Sequence, residues 1–209
     1  VGDVDGDGEE EIITAPASRG GAHIMIFSFD GHLKQHFFAY PQQVRSGYEL
    51  AVGDLNNDGK DEFVIARTTG VPGGEVSVFS DSGLLIRFTP YPESGVEHVA
   101  IAVGDVDGDG EEDIVTAPQE GSAPVTIFSS VGGFKRAAFP YGPSFSRGMT
   151  LAIGDLNNNR RQEIVVVPRT QAPAHVIIMN GNGETVGTFF ASDKSARTGF
   201  VVEIIQRDN

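Results

Sequence analysis

An all-β fold, and within that class a β-propeller of four-stranded antiparallel blades, follows from three features of this 209-residue chain. An acidic nine-residue loop recurs after Gly-Asp at Asp3, Asp54, Asp105 and Asp155, at intervals of 51, 51 and 50 residues. Each interval carries four short β-branched or aromatic runs separated by turn residues. No segment shows the 3.6-residue periodicity of an amphipathic helix. Four strands per repeat of about 50 residues is the pattern of propeller blades. A solenoid repeat ordinarily has fewer strands, or a helix.

The second repeat defines the elements in order. Tyr48–Val52 (YELAV) runs into the loop at Asp54, and Glu62–Ala66 (EFVIA) leaves it. The Pro/Gly-rich stretch RTTGVPGG leads to Glu75–Phe79 (EVSVF), and the turn Asp81-Ser82-Gly83 leads to Leu84–Phe88 (LLIRF). EIITA, DIVTA and EIVVV align with EFVIA, and HIMIF, PVTIF and HVIIM align with EVSVF. The whole chain, 1–209, reads as a single propeller domain, with repeats at about 1–47, 48–98, 99–148 and 149–199. Val1-Gly2-Asp3 matches the end of a first strand, and Gly199–Gln206 (GFVVEIIQ) matches the start of one. The expectation is therefore a four-bladed ring in which a closing strand at 200–206 completes the first blade.

Apolar content of 39 % belongs to a globular chain, and 27 Gly with 11 Pro suit many short strands and turns. The net charge of −14 is concentrated, since 18 of the 29 acidic residues lie in the four loops. Such clustering favours cation binding and disfavours nucleic acid or an anionic membrane as partner. No apolar run approaches the roughly 18–20 residues of a membrane-spanning helix. There is no cysteine, so a bound ion is a natural staple in place of a disulfide.

The loops read DVDGDGEEE, DLNNDGKDE, DVDGDGEED and DLNNNRRQE. Oxygen-bearing side chains at positions 1, 3, 5 and 9, with Gly at position 6 in the first three, suit calcium. That ion gathers several oxygen ligands at about 2.3–2.6 Å. An EF-hand requires an acid at position 12 and flanking helices, whereas position 12 here is Thr14 or Ile65 between strands. Saturation by protein oxygens and repetition around a ring point to structural ions, because a catalytic ion keeps an open position.

The D-x-D-x-D-G-x-x-D loops between strands, with TAP at Thr14–Pro16 and Thr116–Pro118, resemble FG-GAP repeats. These, also called VCBS-type repeats, build integrin alpha-subunit propellers and occur in many bacterial surface proteins. The resemblance covers nearly the whole chain and implies about three calcium ions. It implies one ion held by Asp3, Asp5, Asp7, the Glu9 carbonyl and Glu11. A second would be held by Asp54, Asn56, Asp58, the Lys60 carbonyl and Glu62. A third would be held by Asp105, Asp107, Asp109, the Glu111 carbonyl and Asp113. In the fourth loop Asp155, Asn157, Asn159, the Arg161 carbonyl and Glu163 form a weak copy, because Arg160 replaces the glycine. There Arg160 or Arg161 is expected to pair with Asp155 or Glu163 in place of an ion.

Alternating strand direction places the acidic loops and the hairpins on one face, and the second-to-third-strand loops and blade crossings on the other. The second face collects Arg19, Arg45, Arg67, Arg147, Arg169 and Arg197. It also collects Tyr40, Tyr91, Tyr141, Phe145, His23 and His175. The tyrosines recur before Pro41, Pro92 and Gly142, which favours packing at the crossings. Phe37, Phe38, Phe88, Phe139, Phe189 and Phe190 fall in fourth strands and read as core. The functional expectation is a calcium-stabilised, non-enzymatic, extracellular or cell-surface binding or adhesion module. Its ligand, a protein or glycan, is expected on the arginine face. The alternatives are a structural module of a stalk, sheath or filament, self-assembling or part of a longer chain, and a propeller-type polysaccharide lyase or dehydratase.

Overall fold

The computed structural model describes residues 1–193, 195 and 199–204. Among the described residues fifteen strands form four antiparallel sheets, each a meander in chain order. The first sheet comprises β1 (Ile12–Thr14), β2 (His23–Phe27) and β3 (Leu33–Phe38). The second comprises β4 (Tyr48–Gly53), β5 (Glu62–Arg67), β6 (Glu75–Ser80) and β7 (Gly83–Phe88). The third comprises β8 (Val99–Gly104), β9 (Asp113–Pro118), β10 (Val125–Phe128) and β11 (Phe134–Ala138). The fourth comprises β12 (Met149–Gly154), β13 (Glu163–Pro168), β14 (His175–Met179) and β15 (Thr185–Phe190). The blade arrangement expected from the repeats is the one observed. In the first blade an isolated bridge, Gly2 to Glu11, stands where Gly53–Glu62, Gly104–Asp113 and Gly154–Glu163 end the ladders of the others.

Alternate side chains of the middle strands leave by opposite faces, so each interior strand feeds two cores. Phe63 and Ile65 of β5 join Ile24, Ile26 and Tyr40 of the first blade, while Val64 and Ala66 join Val99, Ile114 and Phe128 of the third. Ile164 and Val166 of β13 repeat this against Val115 and Ile127. The blades are thus held by apolar cores between sheets, and β5, β9 and β13 are buried on both faces, whereas β1 is exposed on one.

The first strands pack on one another around the centre and need glycine at their ends. A Cβ on Gly53 would overlap Glu112 and Val103 of the next blade, and one on Gly104 would overlap Gln162 and Ile153. The Gly of each Gly-Asp pair is therefore set by contact between blades as well as by the loop.

The expected closing strand at 200–206 falls partly outside the described residues. Residues 205 and 206 lie outside the described residues, and no ladder joins 199–204 to β1 among those described. Phe200, Val202 and Ile204 instead cover Val165, Val167, Val176 and Ile178 on the outer face of the fourth sheet. Burying these side chains against an open apolar face drives that docking. The position matches that of a next blade's first strand, since a Cβ on Gly154 would meet Ile204 as one on Gly104 meets Ile153.

The tyrosines act as packing elements at the crossings. Tyr40 and Tyr91 are buried, and their hydroxyls reach into the following blade, at Ser77 Oγ (2.9 Å) and at Thr116 Oγ1 and the Pro124 carbonyl (both 2.9 Å). Tyr141 donates to the Val166 carbonyl at 2.9 Å. The phenylalanines expected in fourth strands divide: Phe37 and Phe88 pack on cores, Phe38 and Phe189 are exposed, and Phe139 is exposed just beyond the end of β11. Phe190 is also largely exposed and stacks on His175 at 4.5 Å. The fourth strand is a blade's outer edge, so only one of its faces reaches a core.

Tyr91→Phe should cost about 1–2 kcal/mol, because it strands the fully buried Thr116 hydroxyl. That corresponds to a Tm about 3–6 °C lower. Phe134→Ala, at a side chain 68 % exposed, should stay within about 0.5 kcal/mol. Urea denaturation of both variants checks the contrast, and an unchanged Tyr91→Phe would contradict the crossing role.

Candidate metal centres

All four acidic loops share one backbone geometry, made by their own side chains. The first-position aspartate accepts from the sixth-position N–H each time: Asp3 from Gly8 (2.9 Å), Asp54 from Gly59 (2.9 Å), Asp105 from Gly110 (3.0 Å) and Asp155 from Arg160 (2.7 Å). The fifth-position side chain accepts from the seventh N–H: Asp7 from Glu9, Asp58 from Lys60, Asp109 from Glu111 and Asn159 from Arg161. Positions 4 and 6 have positive φ in every loop, including Asn57 (57°), Asn158 (58°) and Arg160 (68°). Glycine and asparagine suit that region, whereas Arg160 sits there with strain. The fourth loop therefore keeps the shape despite losing the glycine.

The ninth-position carboxylate is the buried centre of each loop. Glu11, Glu62, Asp113 and Glu163 are 1, 2, 0 and 6 % exposed, respectively. One oxygen of each glutamate accepts the N–H of the residue after the first aspartate, Val4, Leu55 or Leu156, at 3.1, 3.0 and 2.9 Å. Asp113 is one methylene shorter; no such bond forms, and its Oδ2 is buried without a hydrogen-bond partner.

The second oxygen is satisfied in two different ways. In the even loops the third-position amide donates, Asn56 to Glu62 at 2.7 Å and Asn157 to Glu163 at 2.6 Å. In the odd loops the third position is aspartate, and a lysine from the fourth strand enters. Lys34 Nζ lies 2.5 Å from Asp5, 3.2 Å from Asp7 and 2.7 Å from Glu11. Lys135 Nζ lies 2.9, 3.0 and 2.7 Å from Asp107, Asp109 and Asp113. These contacts raise both ammonium groups well above the ordinary lysine value, in Lys135 against a lowering by burial.

The two lysines were not among the residues singled out from the sequence. The available signal was their alternation: the equivalent residues in the even blades are Leu85 and Val186.

Acidic groups converge tightly in the odd loops. Asp3, Asp5 and Glu11, and likewise Asp105, Asp107 and Asp113, bring ligand atoms within 4.8 Å of one another. Among the described residues no third such group forms, so the carboxylates of the second loop, Asp54, Asp58 and Glu62, stand farther apart. Burial first, then Asp58 and Asp54, pushes the Glu62 carboxyl up to about 7 against the Leu55 N–H. The residues fit a calcium ion by this chemistry. Carboxylates converge, Asp113 has an orphaned oxygen, and the second loop has negative charge without a cation. In the fourth loop no ion pair joins Arg160 or Arg161 to Asp155 or Glu163. Arg161 instead lies over Gly108 of the preceding loop, as Lys60 lies over Gly6. Both position-7 side chains thus reach across to the preceding loop, and Lys60 also lies 3.4 Å from Asp81 of its own blade.

On the opposite face Arg19, Arg45, Arg147 and Arg169 are exposed, with Arg147 donating to Gln171 at 3.0 Å. Arg67 differs. It is 3.7 Å from Glu75, and its guanidinium lies 5.3 Å from the Tyr40 ring, so it belongs to the crossing and not to a free surface. Arg197 lies outside the described residues. His23 stacks on Phe38 at 4.6 Å and His175 sits 2.6 Å from Thr188 Oγ1, so each is held within its own blade.

Residues 3–65 and 105–166, more than half of the chain, match the family of the FG-GAP-like repeat. The fold is similar to that of the V. cholerae biofilm matrix protein Bap1, at 21 % identity and a TM-score of 0.57, covering 96 % of this chain and 29 % of that one. A protein of unknown function from Bacteroides caccae is similar at 15 % identity and a TM-score of 0.48, covering 91 % of this chain and 64 % of that one. The chain thus spans less than a third of the length of the biofilm protein.

Without metal, stability should fall as pH rises. Burial, then Asp61 and other nearby carboxylates, pushes Glu112 from 4.5 up to about 7, as burial does Glu62. The unfolded chain releases these protons first, so unfolding becomes easier between about pH 4.5 and pH 7. Glu112→Gln should recover on the order of 1–3 kcal/mol at pH 8 in chelator and flatten that slope. Chemical denaturation across this pH range checks it, and an unchanged slope in the variant would contradict it.

Proposed function

The chain belongs to the FG-GAP-like repeat family, and on that premise we propose that it is a calcium-stabilised binding module of an extracellular or cell-surface protein. The observation that carries this reading is the four-fold acidic loop on one rigid face, set against loops of differing sequence on the other. Loops on rigid scaffolds are where recognition ordinarily resides. ASRGGAH, RTTGVPGGE, QEGSAP and RTQAPAH differ from blade to blade, whereas the acidic loops are constrained by their shared hydrogen bonds. Calcium would be held by the ligands named for loops 1 to 3, and it would supply charge neutralisation, not chemistry.

The ligand is a protein or a glycan that meets exposed arginines. Arg147 and Arg169 sit on adjoining loops, joined by the Arg169 N–H to the Gly148 carbonyl at 2.9 Å. Arginine offers planar contact and directional donors suited to either ligand class. A non-catalytic role fits the central cavity of 720 Å³, lined between the innermost strands mostly by aliphatic residues whose open surface is nevertheless mainly polar, with Tyr48 and Glu203 as its titratable side chains. The structural reading is favoured by one further observation. The outer face of the fourth sheet carries a cavity of 370 Å³ beside exposed Phe189, Val201 and Leu156, which a further blade or a second copy would cover.

Binding of the calcium-loaded protein to an immobilised glycan and surface-protein panel tests the proposal. The double variant Arg147→Glu/Arg169→Glu should reduce binding tenfold or more, a loss of about 1.4 kcal/mol, with Tm unchanged within about 2 °C. Lys60→Glu, on the acidic-loop face, should leave binding intact. Loss of binding in Lys60→Glu alone would place recognition on the wrong face for this reading. Chelation should lower Tm by several degrees, and a Tm indifferent to millimolar calcium would contradict the calcium role.

A further inference from the structure

We propose that Lys34 and Lys135 are tethered counter-cations that compete with the metal in loops 1 and 3. They keep those two loops in shape without calcium and lower their affinity for it. The inference rests on the calcium reading above and concerns what this chain's own side chains do to that site.

Four observations converge on it. First, both lysines occupy the same irregular place in the sheet. Phe27 pairs Leu33 and Ile26 pairs Gln35, so Lys34 is the extra residue of a β-bulge. Phe128 pairs Phe134 and Ile127 pairs Arg136, which leaves Lys135 in the same position. A bulge re-aims the side chain it carries. Here it turns a long ammonium from the outer strand onto the loop between the first and second strands.

Second, each Nζ contacts the carboxylates of positions 3, 5 and 9, which are the side chains that would ligate an ion. Nζ–O distances of 2.5–3.2 Å leave no room for a second cation at about 2.3–2.6 Å from the same oxygens. Third, Asp113 Oδ2 is fully buried and has no hydrogen-bond partner. The ammonium satisfies one oxygen of that carboxylate and leaves the other, so it is an incomplete substitute for a divalent ion.

Fourth, the chain contains its own control. The bulge residues of the even blades are Leu85 and Val186, about half exposed. There Asn56 and Asn157 replace the third-position aspartate. Lysine and the extra carboxylate appear together or not at all. Coulomb energy between groups this close is substantial even under strong screening, so removing the ammonium should change metal affinity and metal-free stability in opposite directions.

The test compares the full chain with the double variant Lys34→Met/Lys135→Met, which keeps an unbranched side chain one atom shorter and removes the charge. Calcium titration of chelator-stripped samples would be followed at the amides of Gly8, Gly59 and Gly110 by NMR. The variant should bind calcium about tenfold or more tightly at Gly8 and Gly110, with little change at Gly59, and its Tm should become more dependent on calcium. Equal or weaker affinity at Gly8 and Gly110 in the variant would overturn the competition. Absence of calcium binding in both forms would overturn the calcium reading itself, and the competition with it.

A measurement on the unmodified chain guards against a variant that does not fold. Amine acylation followed by mass spectrometry should show Lys34 and Lys135 reacting slowly without metal and faster at saturating calcium, relative to Lys60. Calcium saturation demonstrated at Gly8 and Gly110 with no gain in lysine reactivity would contradict displacement.

Discussion

The rest of the structure depends on a carboxylate buried at the start of every second strand. Glu11, Glu62, Asp113 and Glu163 each stand at the start of a second strand, which in the last three blades is buried on both faces, and each faces the loop that precedes it. A buried charge is tolerated only when paired and hydrogen-bonded. The loop is that pairing device: it folds back so that a backbone N–H, an asparagine amide or a lysine can meet the carboxylate. Once the loop is fixed, the ends of the first and second strands are fixed with it. The Gly-Asp pair can then lie against the next blade.

Two solutions to this constraint alternate along the chain and give a two-blade period above the 50-residue one. The odd loops carry an additional aspartate and a bulge lysine, while the even loops carry asparagine and an apolar bulge residue. The two family matches follow the same period, each running from the first aspartate of an odd loop into the second strand of an even blade. Position-7 side chains extend the coupling, as Lys60 covers Gly6 and Arg161 covers Gly108. An even loop therefore rests on the odd loop before it.

The strands, the meander order and the loop positions were legible in the sequence because period, alternation and turn residues report backbone and burial directly. The tyrosines before Pro41, Pro92 and Gly142 were legible for the same reason, as recurring residues at a fixed place. The site was legible only in part. Lys34 and Lys135 lie 23 and 22 residues beyond the carboxylates that end the loops they enter, and a β-bulge, which sequence does not announce, decides where they aim. The contacts of Arg67 were hidden for a similar reason, since its partners are Glu75 on another strand and Tyr40 in a blade crossing. Closure by 200–206 was not legible to the same degree, because matching a first strand does not decide which edge it pairs with. Phe200, Val202 and Ile204 find an apolar face to cover on the fourth sheet, with no ladder among the described residues.

The central claim is that the loop geometry is made by the protein's own hydrogen bonds, with cations acting on a shape that already exists. Amide hydrogen exchange in chelator addresses it most directly, at the sixth-position N–H groups of Gly8, Gly59, Gly110 and Arg160, each bonded to a first-position aspartate. The account expects all four to be protected without metal, including Arg160 in the loop least suited to an ion. Free exchange at Gly8, Gly59 and Gly110 in chelator, with protection appearing only on adding calcium, would show that the ion makes the loops and would contradict it.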